Sequence, residues 1–497
     1  MTIIEALSHF LDTYSNKKIA ILGLGKEGLS TYTFLRRFFP TLPLYLLDQK
    51  ISSQLSPEFQ EIFRRDEYIN TSCGKDWLDD VEIFDIIFKS PGVSQYLYPS
   101  LATAIKQNKI TSNTQLFFEA IAFLKKASPN YKHLTTIGVT GTKGKSTTTV
   151  MLHHLLKTAQ QQTLLGGNIG VPPLDLLVRT DEFNLTLPVY FVLELSCHQL
   201  DTATLSPNIA VVQNISPEHL DYYPDFKTYL KSKSALTKFQ SIEDKVIFNP
   251  TYTTATELAN LSRAEQHLFT ASPDQYASLS PLKKKQVVAH CSDTQLLLNN
   301  EELLALSALP LAGDHNRENI LPAVIVADLL NIQIPAIQQA LLSFKGLPHR
   351  LELVASSQGT TFFNDSLATT PEATIQALDA FAGQKIILLA GGYDRSLNYA
   401  ELAVKISTSS LVALVLFPDT GERILSELKK LETPLPPHAI VKSMPEAFTI
   451  VAKYYDTASI VLMSPAAASY NLFKDYADRG NQFKNQVALL IKEDTRK

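Results

Sequence analysis

Nine consecutive residues, Thr140-Gly141-Thr142-Lys143-Gly144-Lys145-Ser146-Thr147-Thr148, have the types and spacing that a phosphate site needs. Glycines let successive backbone N–H groups turn inward onto phosphate oxygens, and a helix that follows adds the positive end of its dipole. In such a loop Lys145 would neutralise β/γ-phosphate charge, and the Ser146 hydroxyl would ligate Mg²⁺. The pattern G-x-x-x-x-G-K-[ST] asks for a first glycine at position 139, where this chain has Val139. The match to the general phosphate loop is therefore partial. A glycine-rich turn before a helix is the plain structural alternative.

Other groups could act beside it. Glu194 ends the apolar run from Tyr190, and a carboxylate at the carboxyl end of a strand faces the ligand crevice of an α/β sheet. A solvated strand-end glutamate is the alternative. His219 follows another apolar run, in Asn214-Ile215-Ser216-Pro217-Glu218-His219-Leu220-Asp221, although a lone histidine is usually structural. Lys233 closes Tyr229-Leu230-Lys231-Ser232-Lys233 and, with Lys227 and Lys231 nearby, also reads as one face of a charged helix. Gly23-Leu24-Gly25-Lys26-Glu27-Gly28 is G-x-G-x-x-G, with Asp48 roughly 20 residues on. Alone, that motif reads as a dinucleotide site and is weak.

These groups need strands that end where they stand. Apolar runs predict strands at 18–23, 42–47, 84–88, 135–139, 189–195, 208–213 and 245–248, and later at 361–363, 385–389, 411–417 and 459–463. Helices are predicted from 26 to 39, at 114–126, 145–158, 317–330 and 335–342, and at 372–381, 421–430, 445–455 and 471–477. Ala-Ser-Pro-Asn around 128–132 reads as a linker, and 272–293 gives no clear element. Strand–helix alternation predicts parallel α/β sheets, in three consecutive α/β domains: 1–130 Rossmann-like, 131–344 of P-loop ATPase type, and 345–497 Rossmann-like.

The bulk properties agree. The chain of 497 residues has room for about three domains. It is 45% hydrophobic and 19% charged, an ordinary globular mixture. A formal net charge of -4 argues against a nucleic-acid partner. Cys73, Cys197 and Cys291 are far apart and suggest neither disulfides nor a structural zinc site. Met1 to Ser15 lacks the basic start and apolar core of a signal peptide, and no run of about 18 apolar residues predicts a membrane span. The cytoplasm is the expected compartment.

The variant T-G-T-x-G-K-S-T resembles the ATP loop of the Mur ligases and their folylpolyglutamate synthetase relatives, and the rest of the chain resembles the glutamate-adding Mur branch from Gly23 to Ser469. The resemblance implies that ATP is held by Gly141, Thr142, Lys143, Gly144, Lys145, Ser146 and Thr147. Glu-Leu-Ser-Cys-His-Gln-Leu resembles E-L-S-S-x-Q-L and N-x-x-x-[DE]-H-[LM]-D recurs at Asn214 to Asp221, which makes Glu194 and His219 ligands, with Ser146, of two Mg²⁺ ions. In Y-x-x-x-K the lysine, here Lys233, carries a CO₂-derived carbamate; a bare ammonium would be repelled by the ions, whereas carbamate oxygens suit hard Mg²⁺. Catalysis is thereby assigned to Lys145, His219 and Lys233. Gly313-Asp314-His315-Asn316-Arg317-Glu318-Asn319 resembles G-x-H-N-x-x-N, placing Asn319 at adenine, and Pro348-His349-Arg350 resembles P-H-R, placing Arg350 at phosphate. Asn364-Asp365-Ser366 resembles N-D-S, with Asp365 serving the nucleotide. Ser464-Pro465-Ala466-Ala467-Ala468-Ser469 resembles S-P-A-x-A-S, and Thr369, Arg395 and Ser469 are expected to hold the amino acid.

At the N-terminus the resemblance turns the glycine motif into a UDP site. Gly25, Lys26 and Asp48, Ser90 and Gly92 of Lys89-Ser90-Pro91-Gly92, and Asn168 of Gly167-Asn168-Ile169-Gly170 would bind a UDP-muramoyl substrate. The implied reaction is ATP-dependent joining of D-glutamate to UDP-N-acetylmuramoyl-L-alanine through an acyl phosphate, in peptidoglycan synthesis, by a monomer without nucleic-acid or membrane partners. Leu367 stands where the family has lysine, and Arg395 takes the cationic place of G-G-x-x-K. An arginine still clamps a carboxylate, but these departures also resemble a branch that adds L-glutamate, so the enantiomer stays open. A folate-type polyglutamate ligase is the more distant reading, counted against by the N-terminal glycine fold. A non-catalytic nucleotide-binding subunit is counted against by Glu194, His219 and Lys233 all being present. An NAD-dependent oxidoreductase predicts NADH binding, which the ligase reading does not.

Overall fold

The computed structural model describes residues 2–310, 314–395 and 397–494. The chain forms two compact units, Met1–Phe344 and Lys345–Lys497.

The first unit holds two sheets. Five short parallel strands, β1 (Ile19–Leu22), β2 (Leu44–Asp48), β3 (Ile69–Cys73), β4 (Ile86–Lys89) and β5 (Ile110–Thr111), lie in the order β3-β2-β1-β4-β5. Strand order reverses at β1, so the glycine loop after it opens into a crevice between the carboxyl ends of β2 and β4. The second sheet has nine strands: β6 (Leu134–Thr140), β7 (Gln162–Gly167), β8 (Val189–Glu194), β9 (Ile209–Val212), β10 (Lys245–Phe248), β11 (Glu265–Thr270), β12 (Val287–Cys291), β13 (Gln295–Leu298) and β14 (Glu301–Ala305). Their order is β14-β13-β12-β11-β10-β9-β6-β8-β7. The reversal falls at β6, and the phosphate loop leaves its carboxyl end between β8 and β9.

The two sheets share one apolar core. Helix Asn113–Ala127 lies between them, with Phe117 edge-on to Phe191 of β8 at 5.3 Å between ring centroids. The 128–132 stretch is not the loose linker its Ser-Pro-Asn composition suggested. It is a 3-10 turn, Pro129–Tyr131, capped by Ser128, and Tyr131 is buried in the same core.

The second unit is one sheet of β15 (Glu352–Ser357), β16 (Thr360–Asn364), β17 (Ile386–Gly392), β18 (Leu411–Asp419), β19 (His438–Ile440) and β20 (Ile460–Met463), in the order β15-β16-β20-β17-β18-β19. It is parallel except for β15. Alternate residues of β17 feed two separate cores, Ile387 and Leu389 on one face, Ile386 and Leu388 on the other. Helices cover both faces, as a parallel sheet requires.

The α/β reading holds in all three sheets, and the strands flanking the motifs lie within a few residues of expectation. One predicted helix, at 471–477, is misplaced. No helix covers 471–475. The last helix starts at Tyr476 because the Asp475 carboxylate accepts the N–H of Asp478 at 2.8 Å and starts the turn there. The indistinct 272–293 region leads into an antiparallel edge, β12-β13-β14, whose hairpin turns on Asn299 and Asn300 at φ 51° and 65°. Asparagine tolerates that left-handed geometry, so the hairpin signal was present in the Asn-Asn pair.

Candidate active site

β6 is buried along most of its length, and its last residues deliver the phosphate loop to the sheet edge. Gly144 sits at φ 84°, directly before helix Lys145–Thr158, and a Cβ there would run into Asn319 Oδ1. The loop is tied down from below. The Thr142 N–H donates to Asn214 O at 2.8 Å, its hydroxyl donates to Ser216 O at 2.9 Å, and the Tyr229 hydroxyl lies 3.0 Å from it. Gln213 donates to Thr148 Oγ1 at 2.6 Å, and Thr148 in turn donates to Asn319 O at 2.9 Å. Lys145 folds back, Nζ to Thr142 O at 2.8 Å. Ser146 and Thr147 are half-buried and Lys143 is exposed.

Three further groups close on this loop. Glu194 is 1% exposed. Its Oε1 accepts Asn168 Nδ2 at 2.7 Å, while its buried Oε2 has no hydrogen-bond partner among the described residues. Lys233 is equally buried, with Nζ donating to Gly141 O at 2.9 Å and lying 4.9 Å from the centre of the Tyr229 ring. It makes no ion pair among the described residues. Burial, reinforced by the charge of Lys145, pulls its pKa down to about 8. His219 sits at φ 57° on the loop after β9, partly open to solvent, its ring 4.8 Å from that of His198.

Asn168 joins this cluster to a cavity of about 380 Å³ between the glycine loop after β1 and the Gly167-Asn168 loop after β7. Gly25, Lys26, Asp48, Ser90, Gly92 and Asn168 all line it. Asp48 does part of its work on the backbone, accepting Leu24 N–H at 2.6 Å and Lys50 N–H at 2.8 Å. Ser90 donates to Gly23 O at 2.6 Å, and Lys26 Nζ reaches Gly170 O. Lys89 is buried, donating to Val93 O, and Gln199 donates to Glu27, which lines the cavity and whose carboxyl is pushed up to about 7 by burial.

In the second unit, Arg350 is exposed after the buried His349, while Asp365 is buried and accepts Leu351 N–H at 3.1 Å and the Ser464 hydroxyl at 2.8 Å. Arg395 and Ser469 lie on adjoining loops: Tyr393 N–H donates to Ala468 O at 2.8 Å, and the Arg395 guanidinium lies 5.7 Å from the Tyr470 ring. Thr369 is half-buried on a separate loop, after β16.

The comparisons with known proteins follow this geometry. Residues 139–327 match the Mur ligase middle domain, and residues 349–467 match the Mur ligase glutamate ligase domain. The UDP-N-acetylmuramoylalanine–D-glutamate ligase of Acetivibrio thermocellus is 32% identical over 488 residues, spanning 97% of this chain and 98% of that protein. The chain belongs to the Mur ligase family. The Enterococcus faecalis ligase of the same name is 34% identical, over 97% of this chain and 98% of that protein. A crystal structure of MurF from Acinetobacter baumannii shares the fold at 16% identity with a TM-score of 0.56, over 77% of this chain and 81% of that one.

Residues that no motif flagged also shape these regions. Trp77, the sole tryptophan, and Tyr98 wall the cavity with ring centroids 5.5 Å apart. Gln213 wires β9 to the phosphate-loop helix. Arg479 is fully enclosed, donating to Ser366 Oγ at 2.9 Å, Ser366 O at 2.8 Å and Ala467 O at 3.0 Å, with burial lowering its pKa to about 9. It staples the N-D-S loop to the S-P-A loop, yet in sequence it reads as one more charge on a polar helix. Asn319, assigned to adenine, buttresses Gly144 here. Gly313 lies outside the described residues.

Asp365 gives a pH-dependent prediction. Burial raises its carboxyl to about 6 from an ordinary 3.8, against hydrogen bonds from Ser464 and Leu351 that lower it. Between those values the folded state holds the proton more tightly than the unfolded chain. Stability therefore falls as pH rises through the window, by on the order of 1–3 kcal/mol, and stays lowered above it. Asp365→Asn removes the buried charge. Its thermal midpoint should exceed wild type at pH 8 and match it near pH 4, as calorimetry of the full chain would reveal. An equal midpoint at both values would show that the carboxylate carries no such cost.

Proposed function

We propose that this Mur ligase joins D-glutamate to the terminal carboxylate of UDP-N-acetylmuramoyl-L-alanine at the expense of ATP, through an acyl phosphate, as a cytoplasmic monomer. Among the described residues no helix is long and apolar enough to cross a membrane. The observation that carries the reading is Asn168. It lines the N-terminal cavity and also holds Glu194 beside the phosphate loop. A nucleotide-sugar substrate seated on the glycines would thus extend its acid end toward the phosphates.

The site fits Mg²⁺: Glu194 Oε2 is a buried oxygen without a hydrogen-bond partner among the described residues, the donor a hard cation takes. Ser146, Glu194, His219 and Lys233 as carbamate would hold two ions. When bound, ATP and Mg²⁺ supply an electrophilic phosphorus and offset the charge on its oxygens. Lys145 binds the β/γ oxygens, and the loop from Gly141 to Thr147 presents its N–H groups to them. Asn319, whose Oδ1 fills the space beside Gly144, would meet the adenine. Gly25, Lys26, Asp48, Ser90 and Gly92 seat the UDP portion.

Burial gives Lys233 a low-pKa amine, and it makes no ion pair among the described residues, which suits addition to CO₂. The neutral nitrogen forms the N–C bond and one proton leaves. Residues 1–130 serve the UDP substrate, 131–344 serve ATP and 345–497 the amino acid, with Arg350 and Asp365 at the nucleotide and Thr369, Arg395 and Ser469 at glutamate.

Phosphate release tests the reading. With UDP-N-acetylmuramoyl-L-alanine, ATP and Mg²⁺, adding D-glutamate should raise release at least tenfold over its omission. An equal response to L-glutamate alone would reassign the enantiomer, and no response to either would overturn the ligase assignment.

A further inference from the structure

Cys197 stands where E-L-S-S-x-Q-L has its second serine, and His198 follows it. The short helix Cys197–Leu200 is set by a capping box, Ser196 to Gln199 and back, which fixes where both side chains leave the backbone. The sulfur of Cys197, a ring nitrogen of His198 and a ring nitrogen of His219 all lie within 4.8 Å of one another. His198 is gripped by Tyr222 and Tyr223, ring centroids 4.2 and 5.7 Å away, and its buried Nε2 has no hydrogen-bond partner among the described residues. Cys197 is buried as a free thiol, while His219 opens to solvent and leaves a way in.

One thiol and two imidazoles are a poor set for Mg²⁺, which takes oxygen, and a good set for Zn²⁺. Tetrahedral bonds of about 2.0–2.3 Å place ligand atoms roughly 3.3–3.8 Å apart, so closing the trio takes side-chain movements of about 1 Å.

We propose that Cys197, His198 and His219 form a binding site for a thiophilic divalent cation, Zn²⁺ or its analogue Co²⁺, and that filling it inhibits the enzyme by withdrawing His219 from the phosphate site. The Cys197 S–H bond breaks as the metal–sulfur bond forms, one proton passes to solvent, and water completes the fourth position. The binding claim stands on the cluster alone; the inhibition claim rests on the function proposed above.

The two are tested separately. Co²⁺ added to the full chain, without substrates, should give a near-ultraviolet thiolate-to-metal band that Cys197→Ser removes and His198→Phe weakens. No band in the wild type, or the same band in Cys197→Ser, overturns the site. In the phosphate-release assay at saturating Mg²⁺, micromolar Zn²⁺ should inhibit the wild type. Cys197→Ser should raise the half-inhibiting concentration at least tenfold, with its zinc-free rate within about twofold of wild type. A cobalt band without zinc inhibition overturns the inhibitory role and leaves the metal site standing. Absence of any turnover, with the band intact, counts against the ligase reading instead.

Discussion

Lys145→Ala is expected to lower ligation at least a thousandfold while leaving the fold intact. The side chain is half-buried and its ammonium makes one hydrogen bond, to Thr142 O at 2.8 Å, so little packing is lost. Its charge is what matters. The loop around it is tied down by Thr142 to Asn214 and Ser216, and Asn319 Oδ1 occupies the space beside Gly144, so the ammonium is fixed at the turn where phosphate oxygens would gather. Removing a preorganised cation from a site of developing negative charge costs about 4 kcal/mol in the transition state, which at about 1.4 kcal/mol per tenfold is the thousandfold loss. Initial rates of phosphate release check it. Lys143→Ala is the internal control: that side chain is exposed and its loss should change the rate only a few-fold. Near-normal turnover by Lys145→Ala would remove the loop from the mechanism.

The second large effect is at Lys233. Lys233→Ala should cost at least a hundredfold in rate, and millimolar formate or acetate should restore at least a tenth of the lost activity. The truncation leaves a buried space between Gly141 O and the Tyr229 ring, large enough for a small acid. If Lys233 works as a carbamate, what the site needs back is a pair of oxygen ligands, which a carboxylate supplies. If it works as a bare ammonium, methylamine should rescue and formate should not. The variant should not lose thermal stability. Desolvation makes an ammonium at this buried position costly in the folded state, and the charges of Glu218 and Glu194 offset that only in part, so its removal compensates for the packing that is lost.

The strand-then-glycine segments were legible because their local physics is self-contained. An apolar run that ends in Gly-Thr-Lys-Gly-Lys-Ser leaves one way to satisfy both burial and backbone geometry, and helix Lys145–Thr158 lies where its pattern placed it. The carboxyl-end positions of Glu194 and Asp48 followed from the same alternation. Other elements were less legible. β7, Gln162–Gly167, ends in two glycines and has no strand predicted for it; it is a strand because it lies against β8. The 128–132 turn carries linker composition and is ordered by burial of Tyr131.

Roles were harder still. Asp48, Asn168 and Asn319 each have local motifs. Only the fold revealed that Asp48 anchors Leu24 and Lys50, that Asn168 bridges cavity and carboxylate, and that Asn319 props Gly144. Trp77 and Arg479 have no motif at all, since their partners come from segments far away in the chain.

By itself the sequence determined the class of elements, the phosphate loop and the kinds of side chain available to it, because those depend on neighbours a few residues away. The tertiary structure alone decided that Glu194 is buried with one oxygen bonded to Asn168, that Lys233 is buried against Gly141 O and the Tyr229 ring, and that Cys197, His198 and His219 converge. Each of these depends on which surfaces meet in three dimensions, where burial and distance set the chemistry and chain spacing does not.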